Sequence, residues 1–196
     1  MSMEELGAHY LVSSANKCIQ GVPGFGLILA EKEDLARTAG WARSVSMDLY
    51  DQWQEMETKG GKWRFTSPTH VVRAFLQALL ELEDEGGVPA RHRRYVANQS
   101  KLVAGMSALG FHALLSADLQ SPIITSFLFP EECAFSFMEL YQALKRRRFV
   151  IYPGKISQAE TFRIGTIGHV FPEDIGLLLD AIREALDELG LVHAAK

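Results

Sequence analysis

From Pro89 onward the chain alternates amphipathic helices with short apolar strands, and this order constrains the fold more than any other feature. A helix over about Pro89 to Leu109 places Tyr95, Leu102, Met106 and Leu109 on one face, with Gly110 positioned to end it. Strand-like segments follow at Phe111 to Leu115 and Ile123 to Phe129. Ser136-Phe137-Met138-Glu139 has capping-box spacing, and Phe137, Leu140, Tyr141 and Leu144 give the next helix its buried face. Short strands are expected at Phe149 to Tyr152 and Phe162 to Ile164. A last helix opens with Pro172-Glu173-Asp174, acids suited to its positive end, and buries Ile175, Leu178, Leu179, Ile182 and Leu186 before Gly190. Such an order predicts a compact α+β domain with helices on one face of a small sheet.

Upstream, the pattern is sparser. Tyr10 to Ser13 and Gly26 to Ala30 read as two short buried strands flanking a turn. Asp48 to Glu57 is a mixed polar and aromatic segment, broken by Lys59-Gly60-Gly61. In Thr66-Ser67-Pro68-Thr69-His70, Ser67 can cap a helix and Pro68 can fill its first position. Val71, Phe75, Ala78, Leu79 and Leu82 then recur at helical spacing up to Gly86-Gly87. Two domains are expected, 1–87 and 88–196. Two strands and one long helix bury little surface alone, so the first is expected to be only part of a domain.

A chain of 196 residues, 47% hydrophobic and 22% charged, has ordinary globular composition. Its apolar runs, such as Phe25-Gly26-Leu27-Ile28-Leu29-Ala30, fall well below the roughly 20 residues of a membrane helix. Ser2 to Glu5 lack the order of an export signal, and two cysteines, Cys18 and Cys133, are too few for a disulfide framework, so a cytoplasmic location is expected. Net charge of -4 gives no reason to expect nucleic acid. The basic clusters Arg91-His92-Arg93-Arg94 and Lys145-Arg146-Arg147-Arg148 are read as solvated helix ends, since Glu81, Glu83, Asp84 and Glu85 directly precede the first. His9, His70, His92, His112, His169 and His193 form no ligand pair at helical or zinc-finger spacing, so no metal site is expected.

The candidate chemistry begins at Ser13-Ser14-Ala15-Asn16-Lys17-Cys18-Ile19-Gln20-Gly21-Val22-Pro23-Gly24. A lysine after a short apolar strand, with small and amide side chains before it, suits a Schiff base with pyridoxal phosphate. Asn16 and Ser14 can help hold a phosphate. A lone lysine at a strand end is more often an exposed surface charge, and these residues alone favour that reading. The S-x-x-K of Ser14 to Lys17 also matches the first motif of penicillin-binding serine enzymes, but no S-D-N or K-T-G follows. Arg163, inside the apolar strand Phe162-Arg163-Ile164-Gly165, is expected to be buried against an anion or a carboxylate. Its planar fork suits a substrate carboxylate or phosphonate, and a structural ion pair is the alternative. Thr66 and Ser67 offer hydroxyls for a phosphate, or an ordinary N-cap.

Taken together, Ser14 to Gly24, Lys62-Trp63-Arg64-Phe65-Thr66-Ser67-Pro68-Thr69-His70, Val150-Ile151-Tyr152-Pro153-Gly154-Lys155 and Phe162 to Gly165 resemble the 2-aminoethylphosphonate:pyruvate aminotransferase family, a class V branch of fold-type I pyridoxal-phosphate enzymes. Phe-Arg-Ile-Gly is shared more widely across class V, so an enzyme of the alanine–glyoxylate type is the nearest alternative. The resemblance implies an α/β fold in which a remnant of the large cofactor-binding domain precedes the α+β small domain. It implies that Lys17 holds pyridoxal 5'-phosphate and shuttles the proton, and that Arg163 grips the acidic end of each substrate. Thr66 is implied to reach the cofactor phosphate of the neighbouring subunit, hence a homodimer. The implied reaction converts 2-aminoethylphosphonate and pyruvate to phosphonoacetaldehyde and alanine, by a ping-pong cycle through pyridoxamine phosphate.

Only sixteen residues precede Lys17. Family members carry there the aspartate that pairs with the pyridine nitrogen, the aromatic that stacks on the ring and the phosphate loop. The chain is therefore expected to be the carboxy-terminal half of such an enzyme, and an inactive fragment with a binding or pairing role is the alternative from another class.

Overall fold

A computed structural model describes residues 2–130, 134–154 and 159–191. Cys133 and Lys155 lie outside the described residues. The chain divides into two compact units, residues 1–81 and 82–196.

In the first unit a short helix α1 (Met3–Leu6), closed by a Ser2–Glu5 capping box, leads into β1 (Tyr10–Ser14). That strand pairs antiparallel with β2 (Gly26–Ala30), in a register running from Tyr10 opposite Ala30 to Ser14 opposite Gly26. The two strands fall where the sequence places them, but neither holds a buried residue. Two helices follow, α2 (Lys32–Arg37) and α3 (Leu49–Thr58). The mixed polar and aromatic segment is thus a helix. Asp48 caps α3 by accepting from the Asp51 N–H at 3.1 Å, and Gly60 and Gly61, both at positive φ, turn the chain after it. Helix α4 (Thr69–Asp84) starts one residue later than expected, with the Pro68 carbonyl accepting from the Val72 N–H at 3.0 Å.

The second unit begins in the last residues of α4, turns at Gly86 and Gly87 (φ 101° and 74°), and continues as α5 (Gly87–Ala108). It then runs β3 (Ile124–Leu128), α6 (Phe137–Arg146), β4 (Tyr152–Pro153), β5 (Thr161–Gly165) and α7 (Pro172–Glu188). The strands form one antiparallel sheet in the order β3-β5-β4. The segment expected as a strand from Phe111 makes only a single bridge, Ala113 to Phe127, at the edge of β3. The strand expected from Phe149 is confined to Tyr152–Pro153.

One core organises this unit. Leu102 and Met106 of α5, Leu140 and Leu144 of α6, Ile182 of α7, Phe127 of β3 and Phe162 of β5 are all fully buried in it. Each such side chain contributes about 1.5–3 kcal/mol by leaving water. Gly105 lets α5 meet α7 closely, since a Cβ there would stand 2.3 Å from a Leu179 methyl. The helix faces are those that the apolar spacing predicts.

The buried stripe of α5 also carries Arg91 and Asn98, which are polar. Glu85 accepts from Arg91 Nε and from Arg94 at 2.8 and 3.1 Å. Arg94 in turn donates to the carbonyls of Gly168 (2.9 Å) and Val170 (2.6 Å), and Asn98 donates to Val170 at 2.8 Å. The basic cluster at 91–94 is therefore no simple solvated helix end, because two of its arginines pin the turn and the loop after β5. Likewise Arg146 and Arg147 pair with Glu188, and Arg147 with Glu184. The hydrogen bond from Arg94, then that from Arg91, holds the Glu85 carboxyl down at about 2 against the opposing push of burial. A depressed carboxyl stabilises the fold above its unfolded value, and the contribution is lost as pH falls from about 4.5 toward 2. Glu85→Gln should cost about 2–3 kcal/mol in urea unfolding at pH 7, the gap to wild type closing across that acidic window. A pH-independent gap would show that the ion network is not its source.

Candidate functional site

Lys17 sits in the connection between β1 and β2. Ala15, fully buried, anchors the chain as it leaves β1, and its carbonyl accepts from the Gly21 N–H at 2.9 Å. The Lys17 carbonyl accepts from Gln20 at 2.8 Å, which closes a tight turn with Gln20 at φ 67°. Two glycines then seat this turn on α4. A Cβ at Gly21 would stand 2.8 Å from the Ala15 carbonyl and 3.1 Å from the Phe75 ring, and one at Gly24 would meet both Val71 methyls at 2.9 Å. The Gly/Pro-rich stretch is thus a close packing of backbone on a helix face.

The consequence is an outward lysine. Ser14 and Asn16 are half-buried, whereas Lys17 is exposed. Among the described residues no hydrogen bond or ion pair engages its ammonium. An unengaged primary amine, preceded by a hydroxyl and an amide, fits the aldehyde and phosphate of the expected cofactor in donor chemistry.

Thr66 is exposed and lies in the segment leading to α4. Among the described residues no hydrogen bond joins it to Ser14, Asn16 or Lys17. Its segment is braced on α3: Arg64 reaches Asp51 at 2.8 Å and the Val45 carbonyl at 2.7 Å, and Lys62 reaches Glu55 at 3.4 Å. No local pattern marks Arg64 in the sequence, because its partners lie in α3 and in the segment before it. Asp48 as a cap and Leu49, Trp53 and Met56 at helical spacing were the available signals for that helix. Beside β2 lies a groove of about 660 Å³ lined by Phe25, Leu27, Leu29, Trp53 and Trp63 among others, and none of the candidate residues lines it.

Arg163 belongs to the second unit, and its setting differs from expectation. Alternation along β5 sends Phe162 and Ile164 into the core and Arg163 to the opposite face, where it is half-buried. Its register partners there are Ser126 of β3 and Tyr152 of β4. Arg163 Nε donates to the Pro153 carbonyl at 3.1 Å, and among the described residues no carboxylate pairs with it. The side chain is therefore tethered through Nε, with Nη1 and Nη2 left for an anion. Gly154 makes this tether possible, since a Cβ there would stand 2.1 Å from Thr161 Oγ1 and 2.4 Å from its carbonyl. Among the described residues no group of three or more His, Cys, Asp or Glu could hold a metal ion. No helix among them is long and apolar enough to cross a membrane.

The fold is shared with solved aminotransferases. Pyridoxamine–pyruvate aminotransferase from Mesorhizobium loti superposes with a TM-score of 0.83 at 22% identity, over 97% of this chain and 49% of that one. Ureidoglycine–glyoxylate aminotransferase from Bacillus subtilis does so with a TM-score of 0.80 at 18% identity, over 100% and 51%. This is the architecture of fold-type I aminotransferases, as the motifs imply. Sequence similarity is much narrower. The chain is 64% identical over 190 residues to 2-aminoethylphosphonate–pyruvate transaminase of Syntrophobacter fumaroxidans, covering 97% of the chain and 51% of the relative. It is 60% identical over 186 residues to the enzyme of that name from Vibrio vulnificus, covering 95% and 51%. The chain is thus similar to 2-aminoethylphosphonate–pyruvate transaminases over nearly its whole length, which bears out the resemblance of its motifs. It spans about half the length of the curated relatives it matches. No family model matches it.

Gly21→Ala tests the seating of the lysine turn. The added methyl has to push the Ala15 carbonyl or the Phe75 ring aside, and a loss of about 1–3 kcal/mol in thermal or urea unfolding of the first unit is expected. Wild-type stability would mean that the turn rests on α4 more loosely than these distances state.

Proposed function

We propose that the chain supplies the lysine- and arginine-bearing half of an aminotransferase that moves the amino group of 2-aminoethylphosphonate to pyruvate, giving phosphonoacetaldehyde and L-alanine. The observation that carries this reading is 64% identity, across nearly the whole chain, to an enzyme named for those substrates. In this reading residues 1–87 are the residual part of the cofactor-binding large domain and 88–196 the small domain. The assembly is a homodimer in the cytoplasm.

Pyridoxal 5'-phosphate, when bound, supplies an electron sink for the bond broken at the amino-bearing carbon. The chain's own residues do the rest. Lys17 Nζ would hold the cofactor at its aldehyde carbon and would carry the proton between the substrate's amino-bearing carbon and that carbon, in one direction in the first half-reaction and in the other in the second. Its outward position on a tightly closed turn suits that work, because the stem can swing while the backbone stays fixed. Ser14, Asn16 and Thr66 offer hydroxyl and amide donors to the cofactor phosphate, Thr66 toward the neighbouring subunit. Arg163, tethered by Nε, turns Nη1 and Nη2 to the phosphonate of one substrate and the carboxylate of the other.

The test is a chimera in which this chain replaces the matching half of the Syntrophobacter fumaroxidans enzyme. It should form phosphonoacetaldehyde and alanine. Lys17→Ala should lower kcat by about 10³-fold or more. Arg163→Ala should lower kcat/KM for both acidic substrates by about 10²-fold, the loss of a charge-assisted partner to an anion. A chimera that uses alanine and glyoxylate but not 2-aminoethylphosphonate, or one indifferent to Lys17→Ala, overturns the reading.

A further inference from the structure

The Nε tether gives Arg163 a direction. Pro153 belongs to β4, the edge strand of the sheet, so its carbonyl draws the guanidinium from β5 toward that edge. Tyr152 stands beside it. The register sets Tyr152 opposite Arg163, and residues so paired share a face with Cβ atoms about 5 Å apart. Ile151, one residue earlier, is buried in the core, whereas Tyr152 is 56% exposed, so alternation agrees in putting its ring on the face of Arg163. On the other side, Ser126 of β3 is paired with Arg163 in the same row. Among the described residues no hydrogen bond engages the hydroxyl of Tyr152 or of Ser126. Tyr152 lies in the 150–155 motif, to which the proposed reaction gives no role.

The two acidic groups that Arg163 is proposed to meet differ in a way that a guanidinium cannot serve. A carboxylate has two oxygens in one plane, and the fork of Nη1 and Nη2 satisfies both. A phosphonate has three oxygens at tetrahedral angles. All N–H groups of a guanidinium lie in one plane, so the fork that takes two of these oxygens leaves the third above or below it without a donor. Nε cannot help, since it is committed to Pro153. We propose that Tyr152 donates its hydroxyl to the third oxygen, and that this makes the Arg163 site bind a phosphonate more tightly than a carboxylate. A phenol suits this place because it donates to an oxyanion without altering the charge of the site. Ser126 is set aside by direction and reach: its short side chain stays at the sheet surface on the β3 side, away from the strand toward which the tether draws the guanidinium. The inference rests on the proposed role of Arg163 and adds the residue that distinguishes its two anions.

The experiment titrates this chain with methylphosphonate and with acetate, followed by the side-chain NMR signals of Arg163. Methylphosphonate is expected to bind about tenfold more tightly than acetate. Tyr152→Phe removes one oxygen from an exposed side chain and keeps the charge of the site. It should weaken methylphosphonate about tenfold and acetate by less than about twofold. Ser126→Ala should weaken neither. In the chimera, Tyr152→Phe should raise KM for 2-aminoethylphosphonate about tenfold and leave KM for pyruvate unchanged. The proposal is overturned by a wild-type chain that binds the two anions alike or binds neither. It is overturned equally by a Tyr152→Phe chain in which both anions weaken together or neither does, and by a selective loss that appears in Ser126→Ala instead. Selective loss of methylphosphonate in Tyr152→Phe, beside a chimera that does not use 2-aminoethylphosphonate, supports Tyr152 as the selecting residue and overturns the proposed reaction. An active chimera indifferent to Tyr152→Phe overturns the role of Tyr152 and leaves that reaction standing.

Discussion

Phe162 and Arg163 are adjacent in β5, and the alternation of that strand sends one into the core and the other to the open face. Much of the second unit depends on this strand holding its register between β3 and β4. Phe162 faces Phe127 across the sheet and lies within ring contact of Phe111, Phe129, Phe135 and Phe137. A slip of one residue would bury a guanidinium among these rings and expose the phenylalanine. The cost of that exchange fixes where Arg163 stands. The position from which it would act in the proposed reaction is thus set by the packing of its neighbour.

The loop that follows β5 is held by another mechanism. Its carbonyls at Gly168 and Val170 are taken by Arg94 and Asn98, and Thr166 Oγ1 donates to the Pro122 carbonyl at 2.8 Å. Glu85 supplies the carboxylate that pairs with both buried arginines. Apolar contacts set the sheet face, and a charged network sets the chain leaving it.

Legibility in the sequence followed the range of the interactions. Helices α4, α6 and α7 were readable because their apolar spacing is a local signal and their buried faces are ordinary. Helix α3 was hidden by its charges, although Asp48 and the spacing of Leu49, Trp53 and Met56 mark it. The face of Arg163 was readable too, since Phe-Arg-Ile alternates with the period of a strand, yet the apolar run alone suggested burial. Arg94 could not be placed by any local rule, because its carbonyl partners lie 74 and 76 residues away. At the candidate site the lysine turn was visible as a motif. What was not visible is why it needs its glycines, since Gly21 and Gly24 answer to side chains of α4 some fifty residues on.

The two units hold their candidate residues in different ways. The second completes a core from its own residues, so the tether on Arg163 is a property of the chain as it stands. The first builds the lysine turn with backbone hydrogen bonds and glycine contacts, which need few buried side chains, and leaves its hairpin apolar on both faces. A turn made this way can be well shaped while the sheet beneath it is only marginally stable, because the local geometry and the burial that supports it come from different contacts. For the proposed chemistry that distinction matters, since an amine attached to a frayed strand loses the fixed distance on which proton transfer depends. The proposed role of Lys17 therefore depends on the stability of the hairpin as well as on the turn that presents it.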